Sequence, residues 1–288
     1  MKETFGQKTR RSHKRNQRVV MFWCAFVFAF VIAGVWLFRG TLFQNDSGAS
    51  SSGTNQSRHD ACGTADSRQK STDVTQAPMD HEVCQKLQDL VSQDQRVQQV
   101  IDNCEIYPED ILKMLSRNLD MLNFVLEYPE KVGQVFAETV GEVEGGEVPL
   151  LLQYDQRWGY GDYGNSSVAV SGCGPACLSM VITSLTGDDT ITPYVVAQYA
   201  SEQGYYVPGA GTAWTLMSEG AKHFGVIGEE LPLTKSIMEG VLKEGRPIIC
   251  SMRPGDFTTT GHFIVITGIK DGQFTVNDPR SEEHTSEL

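Results

Sequence analysis

A cysteine between two glycines stands at the start of an apolar stretch, SGCGPACLSMVITSLTG, which runs from 171 to 187. Pro175 follows Cys173 by two residues, in a place that the first turn of a helix tolerates because the N–H group there has no helical partner. Apolar residues, including Cys177, recur at helical spacing until Gly187, a residue type that commonly ends helices. The pattern predicts a helix beginning at Cys173. Its unpaired N–H groups and its dipole favour a thiolate, the nucleophilic form of cysteine.

A thiolate nucleophile needs a base, and the candidate among the six histidines is His262. It follows a glycine and opens the apolar run 263–269, which predicts a buried strand. Four of the other histidines lie in the predicted N-terminal tail, spacer, helical segment or C-terminal tail, and His223 lies near the exposed end of a separate predicted helix. A lone histidine on a strand is often only a hydrogen-bonded core residue, so that alternative stays open. Cys177, one turn beyond Cys173, is predicted to pack as a small apolar residue.

The residues after His262 predict a β-hairpin. Asp271 and Gly272 form a typical hairpin turn, and 273–277 predicts the returning strand. Because a hairpin brings its ends together, Asp278 or Asn277 returns to the neighbourhood of His262. A carboxylate or amide there could hold the imidazole in the reactive tautomer, although Asn-Asp-Pro is also common turn chemistry.

Five segments, taken together, resemble the papain-fold cysteine peptidases of the bacteriocin-processing, double-glycine leader peptidase type. The resemblance is closer to the stand-alone relatives found in bacterial envelope proteins, and it covers residues 147–279. The matching segments are VPLLLQYDQRWG (148–159), SGCGPACLSMV (171–181), GRPIICSM (245–252), GHFIVITG (261–268) and VNDP (276–279).

This resemblance implies a nucleophile at Cys173, a base at His262 and an orienting carboxylate at Asp278. It also implies a glutamine that donates to the oxyanion, for which Gln153 is the best match and Gln156 the alternative. The implied fold is α+β, with the cysteine on a helix that packs on an antiparallel sheet bearing the histidine. Unlike the leader peptidases, the chain has no transporter helices and no ATP-binding motif, which argues against leader removal during export.

The expected function is therefore hydrolysis of peptide bonds by a cysteine peptidase acting on a peptide or protein. Two alternatives remain: a non-catalytic cell-surface binding domain on the same fold, and an amidase or transferase acting on cell-wall peptides. The spacing of Cys and His does not predict a zinc site, and no cofactor is expected. Seven cysteines are too scattered for a disulfide scaffold, although a Cys84–Cys104 bridge is conceivable outside the cell. Nothing in the sequence predicts an oligomeric state.

Charge is distributed unevenly along the chain, whose net charge is −12. Eight of the 24 Lys and Arg residues precede residue 40 beside a single acid, which leaves 16 basic and 35 acidic residues in the remainder. So acidic a region lacks the basic footprint that nucleic acid requires, and nucleic acid is excluded as a partner.

The N-terminal region predicts a single-pass membrane anchor. Residues 1–18 form a basic tail, and 19–38 is a run of twenty uncharged residues. As a helix this run would span about 30 Å, the thickness of the hydrocarbon core of a membrane. The positive-inside rule then places the tail in the cytoplasm and the catalytic domain outside the cell. A cleaved signal peptide is the alternative, but its apolar core should be shorter.

Three further segments complete the predicted organisation. Residues 39–78 are polar and predict a flexible spacer, and 79–146 predicts a small helical segment. Within the helical segment, Pro108 and Pro129 each stand in a Tyr-Pro-Glu triplet and are each expected to open a helix. The last nine residues, RSEEHTSEL at 280–288, coincide with the translation of a common sequencing-adapter read, so a non-native tail is expected.

Overall fold

The computed structural model describes residues 18–22, 80–253 and 261–281. Contacts divide the chain into two compact units, one formed by Met1–Cys24 with Pro78–Leu288 and the other by Ala25–Ala77. The second unit, with most of the predicted anchor and the spacer, lies outside the described residues. The described parts of the first unit combine helices with a mixed sheet, as expected for a papain-like domain.

The segment before the peptidase-like region is helical. Its helices are α1 (His81–Leu90), α2 (Val97–Asp102), α3 (Glu109–Leu115) and α4 (Leu122–Lys131), joined by 3-10 turns at Cys104–Ile106 and Leu119–Met121. Asp80 caps α1 by accepting a hydrogen bond from the N–H of Glu82 at 2.8 Å. Cys84 and Cys104 are free thiols, so they form no disulfide here.

One of the two expected Tyr-Pro-Glu helix starts is wrong. Pro108 directly precedes α3, as expected, but Pro129 lies inside the last turn of α4. The chain then leaves the helix through Val132, which is extended, and Gly133, which has a positive φ of 79°. The proline is tolerated there because it forfeits only one N–H bond near the end of the helix.

The predicted nucleophile helix is present. Helix α5 (Val168–Ser171) leads into α6 (Cys173–Thr186), and Gly187 ends α6 in the left-handed conformation with φ 75°. Nearly all of α6 is buried, because α7 (Pro193–Glu202) packs on one side and the sheet on another. Two shorter helices follow, α8 (Thr215–Ser218) and α9 (Lys235–Lys243).

The main sheet has five strands in the order β6-β1-β7-β8-β9. Its strands are β1 (Arg18–Phe22), β6 (Ile227–Leu231), β7 (Ile248–Met252), β8 (His262–Lys270) and β9 (Gln273–Asn277). Strands β7, β8 and β9 are antiparallel, and Asp271 and Gly272 turn the predicted β8–β9 hairpin with positive φ angles of 53° and 80°. Two small hairpins lie outside this sheet: β2 (Asp162–Tyr163) with β3 (Ser166–Ser167), and β4 (Tyr206–Val207) with β5 (Gly211–Thr212).

Strand β1 differs from the expected membrane helix. Residues 18–22 pair in parallel with β6 and β7, so the main sheet is mixed rather than wholly antiparallel. A short apolar run rich in valine and aromatic residues suits a buried strand as well as a helix, and periodicity alone does not separate the two. Residues 23–38 lie outside the described part of the chain. None of the helices within 80–253 and 261–281 has both the length and the apolar character needed to cross a membrane.

The helical segment and the start of the peptidase-like region share one hydrophobic core. Phe124 of α4 stacks on Tyr160 with ring centroids 4.2 Å apart, and the hydroxyl of Tyr160 donates to the Phe124 carbonyl at 3.1 Å. Tyr154 and Ala169 belong to the same buried cluster. The helical segment is therefore packed directly on the residues that lead into α5 and α6.

Candidate active site

Cys173 occupies the first position of α6, immediately after Gly172. Its side chain sits in the main core, and only 7% of the residue is exposed. Gly174 is required beside it, because a Cβ at that position would lie 2.7 Å from Thr212 Oγ1. The start of α6 thus holds the thiol in a fixed and largely dry position, next to the N–H groups of the first turn.

His262 is the first residue of β8, where it pairs with Met252 of β7. Strand β8 packs against α6, which brings the histidine to the cysteine-bearing helix. The His262 side chain is completely buried, and its Nε2 lies 2.7 Å from Asp278 Oδ1. Its other nitrogen, Nδ1, is buried without a hydrogen bond of standard geometry. Nδ1 is therefore the ring nitrogen left free to exchange a proton with the thiol.

Of the two candidate orienting residues, the structure places Asp278 against the histidine. Asn277 ends β9 and its Nδ2 donates to the Val148 carbonyl at 3.0 Å. Neighbouring residues of an extended chain point in opposite directions, so only one of the two can face His262. Asp278 Oδ1 also accepts the backbone N–H of residue 280 at 2.8 Å, which fixes the carboxylate in a tight turn.

The electrostatics of the site favour a thiolate–imidazolium pair. Burial raises the pKa of Cys173. The hydrogen bond and the charge of His262, together with the backbone N–H of Phe263, lower it by more, so the pKa of Cys173 is lowered overall. Burial lowers the pKa of His262, but the hydrogen bond to Asp278 and the interaction with Cys173 outweigh it, and the pKa is raised overall. Each partner therefore stabilises the charged form of the other.

The two predicted oxyanion donors are both engaged elsewhere. Gln153 is fully buried, and its Nε2 donates to the carbonyls of Ala169 and Val170, with an Nε2–O distance of 3.4 Å to the latter. Its backbone N–H donates to the Pro279 carbonyl at 2.8 Å. Gln156 hydrogen bonds to Tyr160, on the side of the helical segment. Gln153 thus lies between the two halves of the site, but its amide is directed at backbone carbonyls.

Two residues of the site escaped the sequence reasoning, namely Tyr163 and Thr212. Their hydroxyls are 2.8 Å apart and buried, and Thr212 packs against Gly174. Burial raises the pKa of Tyr163 and the charge of Cys173 raises it further, so the phenol stays protonated beside the thiolate. The glycine after Cys173 was the available signal, because a glycine inside a helix often marks a close approach by a neighbouring element.

The remaining buried thiols do not share these features. Burial raises the pKa of Cys177 well above its ordinary value, and the negative charge of Cys173 adds to that effect. Cys250 is buried in β7 beside Ile264 of β8. A neutral buried thiol is a poor nucleophile, so Cys173, whose pKa is lowered, is a better candidate nucleophile than Cys177.

Within the described part of the chain, no metal-binding cluster is formed at these residues, and a cleft beside α7 lies away from them. Across the described ranges, no three His, Cys, Asp or Glu side chains are arranged to hold a metal ion. A cleft of about 450 Å³ lies between α7 and the 3-10 turn Gly220–Phe224, and its lining includes none of Cys173, His262 and Asp278.

Comparison with known proteins gives one match. Residues 146–288 match the model of the family described as Peptidase_C39 like family. No curated protein and no solved structure matches the chain. The matched region contains every residue of the candidate site described above.

Proposed function

Residues 146–288 belong to the Peptidase C39-like family, and from this membership we propose that the chain is a cysteine peptidase using Cys173, His262 and Asp278. The family supports a peptidase acting on a peptide substrate. The observation that carries the catalytic assignment is the buried His262, which bonds Asp278 through Nε2 and presents Nδ1 toward the thiol. That arrangement fits a nucleophile, a base and a residue that orients the base.

In the proposed mechanism, the Cys173 thiolate attacks the carbonyl carbon of the scissile amide. The tetrahedral oxyanion forms beside the first turn of α6, where the Cys173 backbone N–H is a donor. The imidazolium of His262 then gives its Nδ1 proton to the leaving amine, and the C–N bond breaks. A water molecule, deprotonated by the neutral imidazole, attacks the thioester, and release of the acid regenerates the thiolate and the imidazolium.

The burial of Cys173 and His262 strengthens the electrostatic interactions on which this mechanism depends. With His262 inaccessible and Cys173 almost so, little water surrounds the charges, and the His262–Asp278 bond is stronger than it would be in solvent. Asp278 keeps the ring oriented throughout because its own carboxylate is held by a backbone N–H.

The test is labelling of Cys173 in the full chain together with a peptide-library digest read by mass spectrometry. Wild type should be alkylated by iodoacetamide at Cys173 at a pH below the ordinary thiol range and should cleave peptides. Cys173→Ala and His262→Ala should do neither, while Cys177→Ala should do both. A Cys173 that titrates like a free thiol, with no cleaved peptide, would instead identify a binding domain on the same fold. Acylated amines among the products, rather than free acids, would identify a transferase.

We further propose that the chain is held in the cell membrane through residues 19–38, with its catalytic domain outside. The support is the basic flank and the uncharged length of that segment in the sequence. In intact cells, external protease should remove the catalytic domain and spare an N-terminal tag. Complete protection of the domain would refute the proposal, and it would favour the pairing of residues 18–22 in the main sheet.

A further inference from the structure

The carboxylate of Asp278 depends on a short turn that follows β9. Within that turn, the N–H of residue 280 donates to Asp278 Oδ1 at 2.8 Å, and the N–H of residue 281 donates to the Asp278 carbonyl at 3.1 Å. These bonds shape the turn but do not attach it to the rest of the protein. Its position relative to His262 therefore requires contacts from outside.

Two carbonyls of the turn make contacts of this kind. The Pro279 carbonyl accepts the backbone N–H of Gln153 at 2.8 Å. The carbonyl of residue 280 accepts Nδ2 of Asn118 at 3.0 Å, across 162 positions of sequence. Asn118 lies in the helical segment, between α3 and α4, and not in the matched peptidase region.

The Asn118 side chain is itself held firmly. Its Oδ1 caps the 3-10 turn that follows by accepting the N–H of Asp120 at 2.9 Å. Its Nδ2 also lies 3.3 Å from the hydroxyl of Tyr154, the residue after Gln153. With both ends of the amide engaged and the residue half-buried, Asn118 presents its donor in one orientation.

We propose that Asn118 is a positioning residue for Asp278, so that the helical segment 80–131 forms part of the framework of the active site. The bond from Asn118 fixes the turn, and the turn fixes the position of the Asp278 carboxylate. The carboxylate in turn orients the His262 ring and stabilises its protonated form. The bond from Asn118 goes to a backbone carbonyl, so it does not depend on which side chain occupies position 280. The same helical segment also packs on Tyr160 and Ala169, which lead into the cysteine-bearing helix. It therefore contacts the chain on both sides of the catalytic pair.

The proposal rests on the proposed function for its catalytic meaning, but its test does not need a substrate. The variant is Asn118→Asp, which keeps the oxygen that caps the 3-10 turn and removes the donor to residue 280. The matched control is Asn103→Asp. Asn103 is an exposed residue of the same helical segment, and its Nδ2 donates to the Gln99 carbonyl at 2.8 Å, away from the site. Both changes replace one amide by one carboxylate and remove one bond to a backbone carbonyl.

The measurement is the pH profile of alkylation at Cys173 by iodoacetamide, resolved by peptide mass spectrometry in the full chain. In Asn118→Asp, the weakened His262–Asp278 bond should lower the pKa of His262 and raise that of Cys173. Alkylation at neutral pH should slow by about threefold to tenfold, the change expected for loss of one ordinary hydrogen bond. Asn103→Asp should keep the wild-type profile. Melting temperatures are measured in parallel, and Asn118→Ser, which also retains a capping oxygen, replaces Asn118→Asp if that variant does not fold.

Equal profiles for Asn118→Asp and wild type would overturn the proposal. So would a slower rate with unchanged pH midpoints, because that result indicates only a smaller folded fraction. These outcomes are distinct from failure of the proposed function. If wild type cleaves no peptide but the profile still shifts in Asn118→Asp, the positioning role stands and the peptidase assignment falls. If wild type cleaves peptides but the profile does not shift in Asn118→Asp, the peptidase assignment stands and the positioning role falls.

Discussion

Replacing Asp278 by asparagine removes the charge behind His262 while keeping the shape of the side chain. Nε2 of His262 and Oδ1 of Asp278 are 2.7 Å apart, and the two side chains are 0% and 13% exposed, so solvent screens the bond little. A hydrogen bond between charged groups contributes about 1.5–3 kcal/mol, which corresponds to about one to two pKa units. The opposing effect, burial, remains in the variant. We therefore expect the pKa of His262 to fall from its raised value, because the interaction with Cys173 alone is left to oppose burial.

The direction of the pH dependence follows from the two shifts. Because the pKa of His262 is raised, its protonated form contributes to stability at low pH, and the contribution is lost as pH rises through the raised value. Because the pKa of Cys173 is lowered, its thiolate contributes at high pH, and the contribution is lost as pH falls through the lowered value. The charged pair is therefore favoured above the pKa of Cys173 and below the pKa of His262, and Asp278→Asn should lower the upper, alkaline bound.

The assay is kcat/KM against pH for peptide cleavage, because its two limbs report the essential groups of the free enzyme. Asp278→Asn should move the alkaline limb down by about one to two units and lower kcat/KM near neutral pH by about tenfold to a hundredfold. Asn277→Ala is the control, since Asn277 bonds Val148 and not His262. It should reduce thermal stability and leave the limb in place. If the alkaline limb stays in place in Asp278→Asn, or moves in Asn277→Ala, Asp278 is not the residue that raises the pKa of His262.

Four further outcomes are expected. Gly174→Ala should lower the melting temperature and the activity together, because the new Cβ would lie within 2.8 Å of three Thr212 atoms; a wild-type melting curve would contradict this. Cys177→Ala should reduce the free energy of unfolding by about 1 kcal/mol through a small cavity, with kcat unchanged in a steady-state assay. Gln153→Ala should lower kcat by about a hundredfold if its amide turns to the oxyanion; lower stability with normal kcat would instead assign Gln153 to holding backbone carbonyls. Deleting residues 1–22 should leave the melting temperature unchanged if the apolar segment is an anchor, whereas a clear drop would show that β1 belongs to the sheet.

Local signals were enough to predict the elements that bear the site. The glycine-flanked Cys173 and the following proline predicted the start of α6, and Gly187 predicted its end. The Asp271-Gly272 pair predicted the β8–β9 hairpin, since few residue pairs adopt two positive φ angles. The hairpin in turn placed Asp278 near His262. Each of these inferences depends on neighbours within a few residues, where backbone geometry is set by residue type.

Apolar runs and prolines proved more ambiguous. The run beginning at Val19 predicted a helix, yet residues 18–22 form a strand between β6 and β7. Pro129 was expected to open a helix and lies near the end of one. A run of valine and aromatic residues suits both a membrane helix and a strand of a sheet. Proline is compatible with the first turn of a helix and also with its last turn. Packing partners that are distant in sequence decide between the alternatives.

The sequence by itself predicted the family resemblance, the pairing of Cys173 with His262, and the hairpin that follows His262, because these depend on residue types at short spacing. The tertiary structure alone decided which polar group faces His262. Asn277 and Asp278 are equivalent candidates in the sequence, but they point in opposite directions from the end of β9. It also decided that Gln153 bonds carbonyls within α5, that Thr212 packs on Gly174, and that Asn118 reaches the turn after Asp278. Such contacts join residues far apart in the chain, and their geometry exists only once the helices have packed on the sheet.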